Sequence, residues 1–319
     1  MTTKILVALA CVALLFVPYA MPNHYYIHMC IMIGINVLLA VGLNLLTGYT
    51  GQINMGQYGL FAIGAYSSAI LARNLGVNVW LAMPLAVAVT ALFGFIVGFP
   101  SLRVEGPYLA LVTMGFAESV RISFNNSVYL GEAMGVAGIP APTLFGTQLY
   151  APGHFYFLVL AFVLAGLLLN HNLIESALGR KFRAVRDDPL AANVMGVNVK
   201  RVKLTAFCIC AAYAGLAGSL YAHYTGYVNP SIFTQIIQTN FLLMIVLGGL
   251  GFKWGGVIGG VVVTVFFEMT RQFVQYQMVA FGIMMILIVL FFNRGVSGFA
   301  QNLMRVIRGP SQSVEDSDA

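Results

Sequence analysis

Apolar residues run through this chain in long blocks, broken by short polar or glycine-rich stretches. Ten blocks, at roughly 4–21, 27–47, 55–72, 80–99, 107–124, 153–170, 204–223, 235–250, 255–272 and 278–293, approach or exceed the ~20 residues that a helix needs to cross ~30 Å of hydrocarbon. Backbone polar groups in lipid must be paired within the segment, so each block predicts a helix. The predicted fold is an all-α polytopic membrane protein of about ten transmembrane helices with interrupted Gly-rich segments. It forms one transmembrane domain over 1–295, with a loop at 171–203 and a polar tail over 296–319. The first block could instead be a signal peptide, with Lys4 as its basic region and Pro18-Tyr19-Ala20 near a cleavage point. A single basic residue and a poor cleavage site favour the span.

Composition agrees with this pattern: 60% of residues are hydrophobic and 8% charged, against roughly 25% charged in a soluble domain. Charge then sets orientation. With ten spans and both termini in the cytoplasm, thirteen of the sixteen Lys and Arg fall inside: Lys4, Arg103, seven in the 171–203 loop, Lys253, Arg294, Arg305 and Arg308. Arg73, Arg121 and Arg271 fall outside or near an outer helix end, as the positive-inside rule demands. Basic loops against anionic lipid account for the net charge of +6 without any nucleic-acid partner. The tail Ser311–Ala319 is polar and acidic, which predicts disorder.

Candidate chemistry is sparse. Cys11, Cys30, Cys208 and Cys210 sit in apolar runs without metal-ligand spacing. The histidines, His24, His28, His154, His171 and His223, lie in or near loops and helix ends, without the H-E-x-x-H spacing of a zinc enzyme. No phosphate loop of the G-x-x-x-x-G-K-[ST] type is present, so ATP, if used, must be hydrolysed by a partner. Neither a metal nor a catalytic constellation is expected, and the chain does not read as an enzyme.

Two glycine stretches stand out. Thr47–Tyr66 holds Gly48, Gly51, Gly56 and Gly59, and Leu247–Gly260 repeats that spacing with Gly248, Gly251, Gly256 and Gly259. Glycine permits close helix packing, and it also permits unwound backbone lining a transport path. On the second reading Gln52, Asn54 and Gln57, with Thr113 of the fifth span, are candidates to meet water or a polar solute. Ionisable groups within spans form two E-x-x-R patterns, Glu118/Arg121 and Glu268/Arg271. Residues three apart share a helix face, so each reads first as a structural ion pair, although intramembrane charge is also a functional candidate.

Gly179–Lys203 carries nine of the twenty-six charged residues. Within it Asp188-Pro189 is a strong helix start and Gly196 suits the residue past the end. The short helix between presents Leu190, Ala191, Val194 and Met195 as an apolar face, with small Ala191-Ala192 on one side. So short a helix is marginal alone in water. It suits a knob inserted into a groove, flanked by Arg180, Lys181, Arg183 and Arg186 before it and Lys200, Arg201 and Lys203 after it.

Leu190-Ala191-Ala192-x-x-x-Gly196 resembles the E-A-A-x-x-x-G coupling signature of ABC importer permeases, with leucine in place of the usual glutamate. Arg183–Ala222, Gly42–Tyr66 and Gly106–Asn126 are similar to the corresponding parts of the LivM-like branch of branched-chain amino acid permeases. The resemblance covers roughly residues 30–295. It implies half of a heterodimeric pore in the bacterial inner membrane, moving hydrophobic amino acids by alternating access. A LivH-like second permease, two cytoplasmic ATPase subunits holding ATP and Mg, and a periplasmic substrate-binding protein would be its partners, with membrane lipid around it. It further implies an ATPase-coupling role for Arg183, Arg186, Asp187, Asp188, Ala191, Ala192 and Gly196, where Asp187 or Asp188 could stand in for the missing glutamate. Relatives that take urea, short amides or aromatic acids leave the solute open. A self-sufficient secondary transporter is the competing class, disfavoured by the coupling-like loop.

Overall fold

The computed structural model describes residues 24–270 apart from 103, 105, 145, 146 and 149–151, together with 282, 283 and 286. The expected first span, most of the tenth, Cys11, Arg271 and the tail lie outside the described residues.

The chain forms α1 (His24–Leu43), which continues through a wider π turn at Asn44–Gly48, then α2 (Gln57–Arg73), α3 (Val79–Ser101), α4 (Pro107–Asn126) and α5 (Pro152–Glu175). After these come α6 (Ala177–Asp187), α7 (Pro189–Val194), α8 (Val199–Thr225), α9 (Gln235–Gly248) and α10 (Gly255–Thr270). Among the described residues four helices are long and apolar enough to cross a membrane: His24–Gly48, Val79–Ser101, Pro152–Glu175 and Val199–Thr225.

The connections sort onto two sides. Gly48 packs on Gly251, the Gln52 amide donates to the Lys203 carbonyl at 3.1 Å, and Glu175 pairs with Lys253 at 3.1 Å. These contacts put the 44–54, 175–203 and 249–254 segments together. On the opposite side the 127–148 loop is pinned to the end of α8. Its strand β1 (Val136–Ala137) pairs antiparallel with β4 (Tyr227–Val228), while β2 (Thr143–Leu144) and β3 (Thr147–Gln148) close a hairpin. The Trp80 indole donates to the Thr143 carbonyl at 2.7 Å, tying the start of α3 to that hairpin. Below it, the buried His223 ring has Nδ1 2.7 Å from the Pro140 carbonyl and Nε2 2.8 Å from Ser68 Oγ. A carbonyl only accepts, so Nδ1 carries the proton and Nε2 accepts from Ser68. Charge follows the same division. Arg180, Lys181, Arg183, Arg186, Lys200, Arg201, Lys203 and Lys253 lie on the first side, while Arg73 and Arg121 lie toward the second.

The core is built around α8, against which α1, α2 and α3 pack. Backbones approach closely there: a Cβ on Gly215 would lie 2.7 Å from Thr90 Oγ1, and one on Gly218 would lie 2.6 Å from Ala65 N. Without a hydrophobic difference between lipid and side chain, such small-residue contacts hold membrane helices together. The outward face of α3 is apolar throughout, with Leu81, Leu85, Leu92, Phe95, Ile96 and Phe99 exposed, as a lipid-facing surface should be.

Two elements differ from the sequence expectation. The segment before Asp188 is a capped helix, α6, rather than a basic flank: Ser176 Oγ accepts from the Leu178 amide at 3.1 Å, and Phe182 and Val185 are fully buried. α8 begins at Val199, earlier than the predicted 204, because Asn198 Oδ1 caps the Arg201 amide at 3.0 Å. Lys200, Arg201 and Lys203 therefore sit in its first turns, where their stems can reach interfacial water.

Candidate functional site

The charged segment folds as two helices meeting at a sharp corner. Asp188 Oδ1 accepts from the Leu190 amide at 2.8 Å and the Ala191 amide at 3.1 Å, and Pro189 takes the first helical position. The end is closed by Gly196 at φ +81°, with its amide on the Asn193 carbonyl and the Val197 amide on the Ala192 carbonyl, both at 3.0 Å. Both terminators are the ones the local sequence predicts. Leu190, Val194 and Met195 are 79%, 86% and 83% exposed, so α7 presents an apolar tip that nothing among the described residues covers. Ala191 is exposed too, while Ala192 is buried against the body. The two alanines thus do not share a face: neighbours on a helix point ~100° apart, and only Ala192 turns inward.

Arg186, the last basic residue of α6, joins this tip to both glycine stretches. A Cβ on Gly51 would lie 3.7 Å from Arg186 Cγ, and one on Gly251 would collide with the Arg186 guanidinium. Gly51 and Gly251 share a left-handed backbone, φ +72° and +76°, which only glycine adopts without strain. Gly48 lies against Gly251, and buried Asn44, one turn before Gly48, binds the second stretch: its Oδ1 accepts from the Gly251 amide and its Nδ2 donates to the Phe252 carbonyl, both at 2.9 Å. A cavity of about 190 Å³ opens beside this junction, lined in part by Thr50, Gly51, Gln52, Arg186 and Lys203. Burial pushes the nearby Tyr49 phenol above its ordinary pKa, with Arg183 and Arg186 opposing the rise and Glu175 adding to it.

From Gly51 to Gly56 the backbone is unwound and dives into the bundle. Gln57 Oε1 accepts from the Cys210 thiol at 3.1 Å. Cys210 lies eleven positions into α8, about 16 Å from its start at 1.5 Å per residue. Polar backbone at that depth needs partners, and side chains of other helices and of the segment itself supply them. Thr113 Oγ1 accepts from the Met55 amide at 3.0 Å, Asn54 Oδ1 from the Gly56 amide at 2.8 Å, and Gln238 Oε1 from the Tyr58 amide at 3.2 Å. The Gln238 amide group donates to the Asn54 carbonyl at 3.0 Å. Gln52, Asn54, Gln57 and Thr113 are all buried, and Gln57 Nε2 has no partner among the described residues.

On α4, Glu118 and Arg121 pair side to side, with Arg121 Nε 3.0 Å from both carboxylate oxygens and Nη2 on Oε1. Tyr58 Oη donates to Glu118 Oε2 at 3.3 Å, so this pair touches the first turn of α2. The expected partner of Glu268, Arg271, lies outside the described residues. Among the described residues no group of three or more His, Cys, Asp or Glu is placed to hold a metal.

Sequence reasoning missed Asn44, Gln238 and Tyr58. Each lies within an apolar block with no spacing signal. Only the depth-matching of three helices reveals that Gln238 faces the break.

Residues 25–289 match the family described as branched-chain amino acid transport system / permease component. The chain is 35% identical over 302 residues to the high-affinity branched-chain amino acid transport system permease protein LivM of Salmonella typhimurium, covering 87% of this chain and 71% of that protein. It is 34% identical to the same-named protein of Escherichia coli, with the same coverage. To the corresponding permease protein LivH of Escherichia coli it is 27% identical, over 82% of this chain and 90% of that one. No solved structure matches.

Proposed function

Because the chain belongs to the family of branched-chain amino acid transport system permease components, we propose that it forms half of the pore of an ATP-driven importer for branched-chain amino acids in a bacterial inner membrane. A LivH-like permease supplies the other half, two cytoplasmic ATPase subunits drive it, and a periplasmic receptor delivers solute. In this reading the chain has ten membrane helices with both termini in the cytoplasm. The side carrying α6 and α7 faces the cytoplasm, because eight of the ten described Lys and Arg lie there.

The observation that carries the reading is the capped, uncovered apolar tip of α7, which is wired through Arg186 to two glycine breaks. Leu190, Ala191, Val194 and Met195 seat in a cleft of an ATPase subunit, while Asp188 and Gly196 fix the helix ends and Ala192 anchors it to the body. Arg183 and Asp187 flank the seat. Closure of the ATPase pair pushes α7; α6 transmits the push to Gly51 and Gly251. The buried Gln52, Asn54, Gln57 and Thr113 then meet the solute path in a second conformation, for which the unpartnered Gln57 Nε2 is a ready donor.

The test targets the outward residues, since Ala192 faces inward. In the co-expressed transporter, Leu190→Asp with Val194→Asp is expected to lose the ATPase subunits on purification and to abolish ATP-driven leucine uptake. If the double variant keeps its ATPases and full uptake, the coupling role is wrong.

A further inference from the structure

The exposed faces of α3 and α4 differ. α3 shows only apolar side chains, whereas α4 leaves Gly115, Ser119 and Ser123 open and Glu118 and Arg121 partly open, with side-chain exposures of 40% and 31%, among exposed Leu111, Val112 and Ile122. Gln235, at the start of α9, reaches the same helix through Met114 Sδ at 3.6 Å. Glu118 lies eight positions before the end of α4, about 12 Å in from that end. A carboxylate and a guanidinium at such depth are costly against lipid, so this face turns toward water or protein.

The pair is also incompletely used. Arg121 bonds Glu118 through Nε and Nη2, and its Nη1 has no partner among the described residues. Glu118 is steadied from behind by Tyr58, in the turn that follows the unwound 51–56 segment. A matched, neutral pair of opposite charges can open around a molecule that is itself neutral overall and carries both charges. Each charge then exchanges one partner for another, and no uncompensated charge is created. A singly charged solute would leave one member unmatched.

We propose that Glu118 and Arg121 contact the solute itself on the open face of α4: a zwitterionic α-amino acid, its carboxylate on Arg121 and its ammonium on Glu118. The proposal rests on the permease reading above and assigns the substrate contact within it. Tyr58 links this contact to the unwound segment, so movement of the break changes how firmly the pair is held.

The complete transporter in proteoliposomes, with its receptor, is assayed for radiolabelled leucine uptake and receptor-stimulated ATP hydrolysis. Glu118→Gln, which keeps the shape of the carboxylate, and Arg121→Gln, which is shorter and neutral, are each expected to lower leucine moved per ATP by roughly ten- to a hundredfold, with stimulated hydrolysis retained. The charge exchange Glu118→Arg with Arg121→Glu rebuilds an ion pair in reverse. It is expected to restore thermal stability but not uptake. Uptake restored by the exchange would make the pair structural and overturn the proposal, as would single variants that transport normally. If the exchanged protein does not assemble, the leucine-to-ATP ratio of the single variants decides. Absence of leucine uptake by the unaltered transporter would instead defeat the parent reading.

Discussion

Asn44 shows how much can depend on one side chain. It is buried, and its amide ties the end of α1 to the second glycine stretch, one bond to Gly251 and one to Phe252. Asn44→Ala leaves the Gly251 amide without its acceptor, while the Phe252 carbonyl keeps the Gly255 amide at 3.0 Å; the orphaned amide costs about 1–3 kcal/mol if water cannot reach it. The expected result is a melting midpoint lower by several degrees in detergent; an unchanged midpoint would mean that cavity water replaces the amide. The sequence shows Asn44 only as a lone polar residue in an apolar run. By contrast Asp188, Pro189 and Gly196 were legible because capping and left-handed turns are decided within a few residues. Ala191 and Ala192 mark the boundary of that legibility: a motif names both, but which one faces outward depends on where α8 lies.

At the scale of elements, the long apolar blocks are readable because span length is set by the bilayer and needs no tertiary information. α6 was not readable in that way. Its apolar face is carried by Phe182 and Val185 among four basic residues, so charge masks it. The break at 51–56 was legible as glycine and amide residues, but its partners were not, since Thr113 and Gln238 come from helices far along the chain. Gln238→Leu removes the partners of the Asn54 carbonyl and the Tyr58 amide at once. Faster hydrogen exchange at the Tyr58 amide and a lower melting midpoint are expected, whereas Gln238→Glu, which keeps the acceptor, should protect Tyr58 nearly as well. Equal protection in the leucine variant would show that the break is held from elsewhere.

Over the whole molecule, one contiguous set of contacts runs from the α7 tip to the open face of α4: Arg186 to Gly51 and Gly251, the unwound 51–56 segment to Thr113, and Tyr58 to Glu118. Contiguity alone does not transmit force; the segment must have two arrangements that the ATPases bias. In the described conformation Asn54 is fully buried. The most direct measurement is therefore the reactivity of Asn54→Cys with a membrane-impermeant thiol reagent, in the assembled transporter with Cys210→Ala and the other native cysteines replaced. It is followed without nucleotide, with trapped ATP and after hydrolysis. The account predicts labelling in one nucleotide state and protection in another, with the difference lost when Leu190→Asp and Val194→Asp uncouple the ATPases. Protection in every state would contradict it.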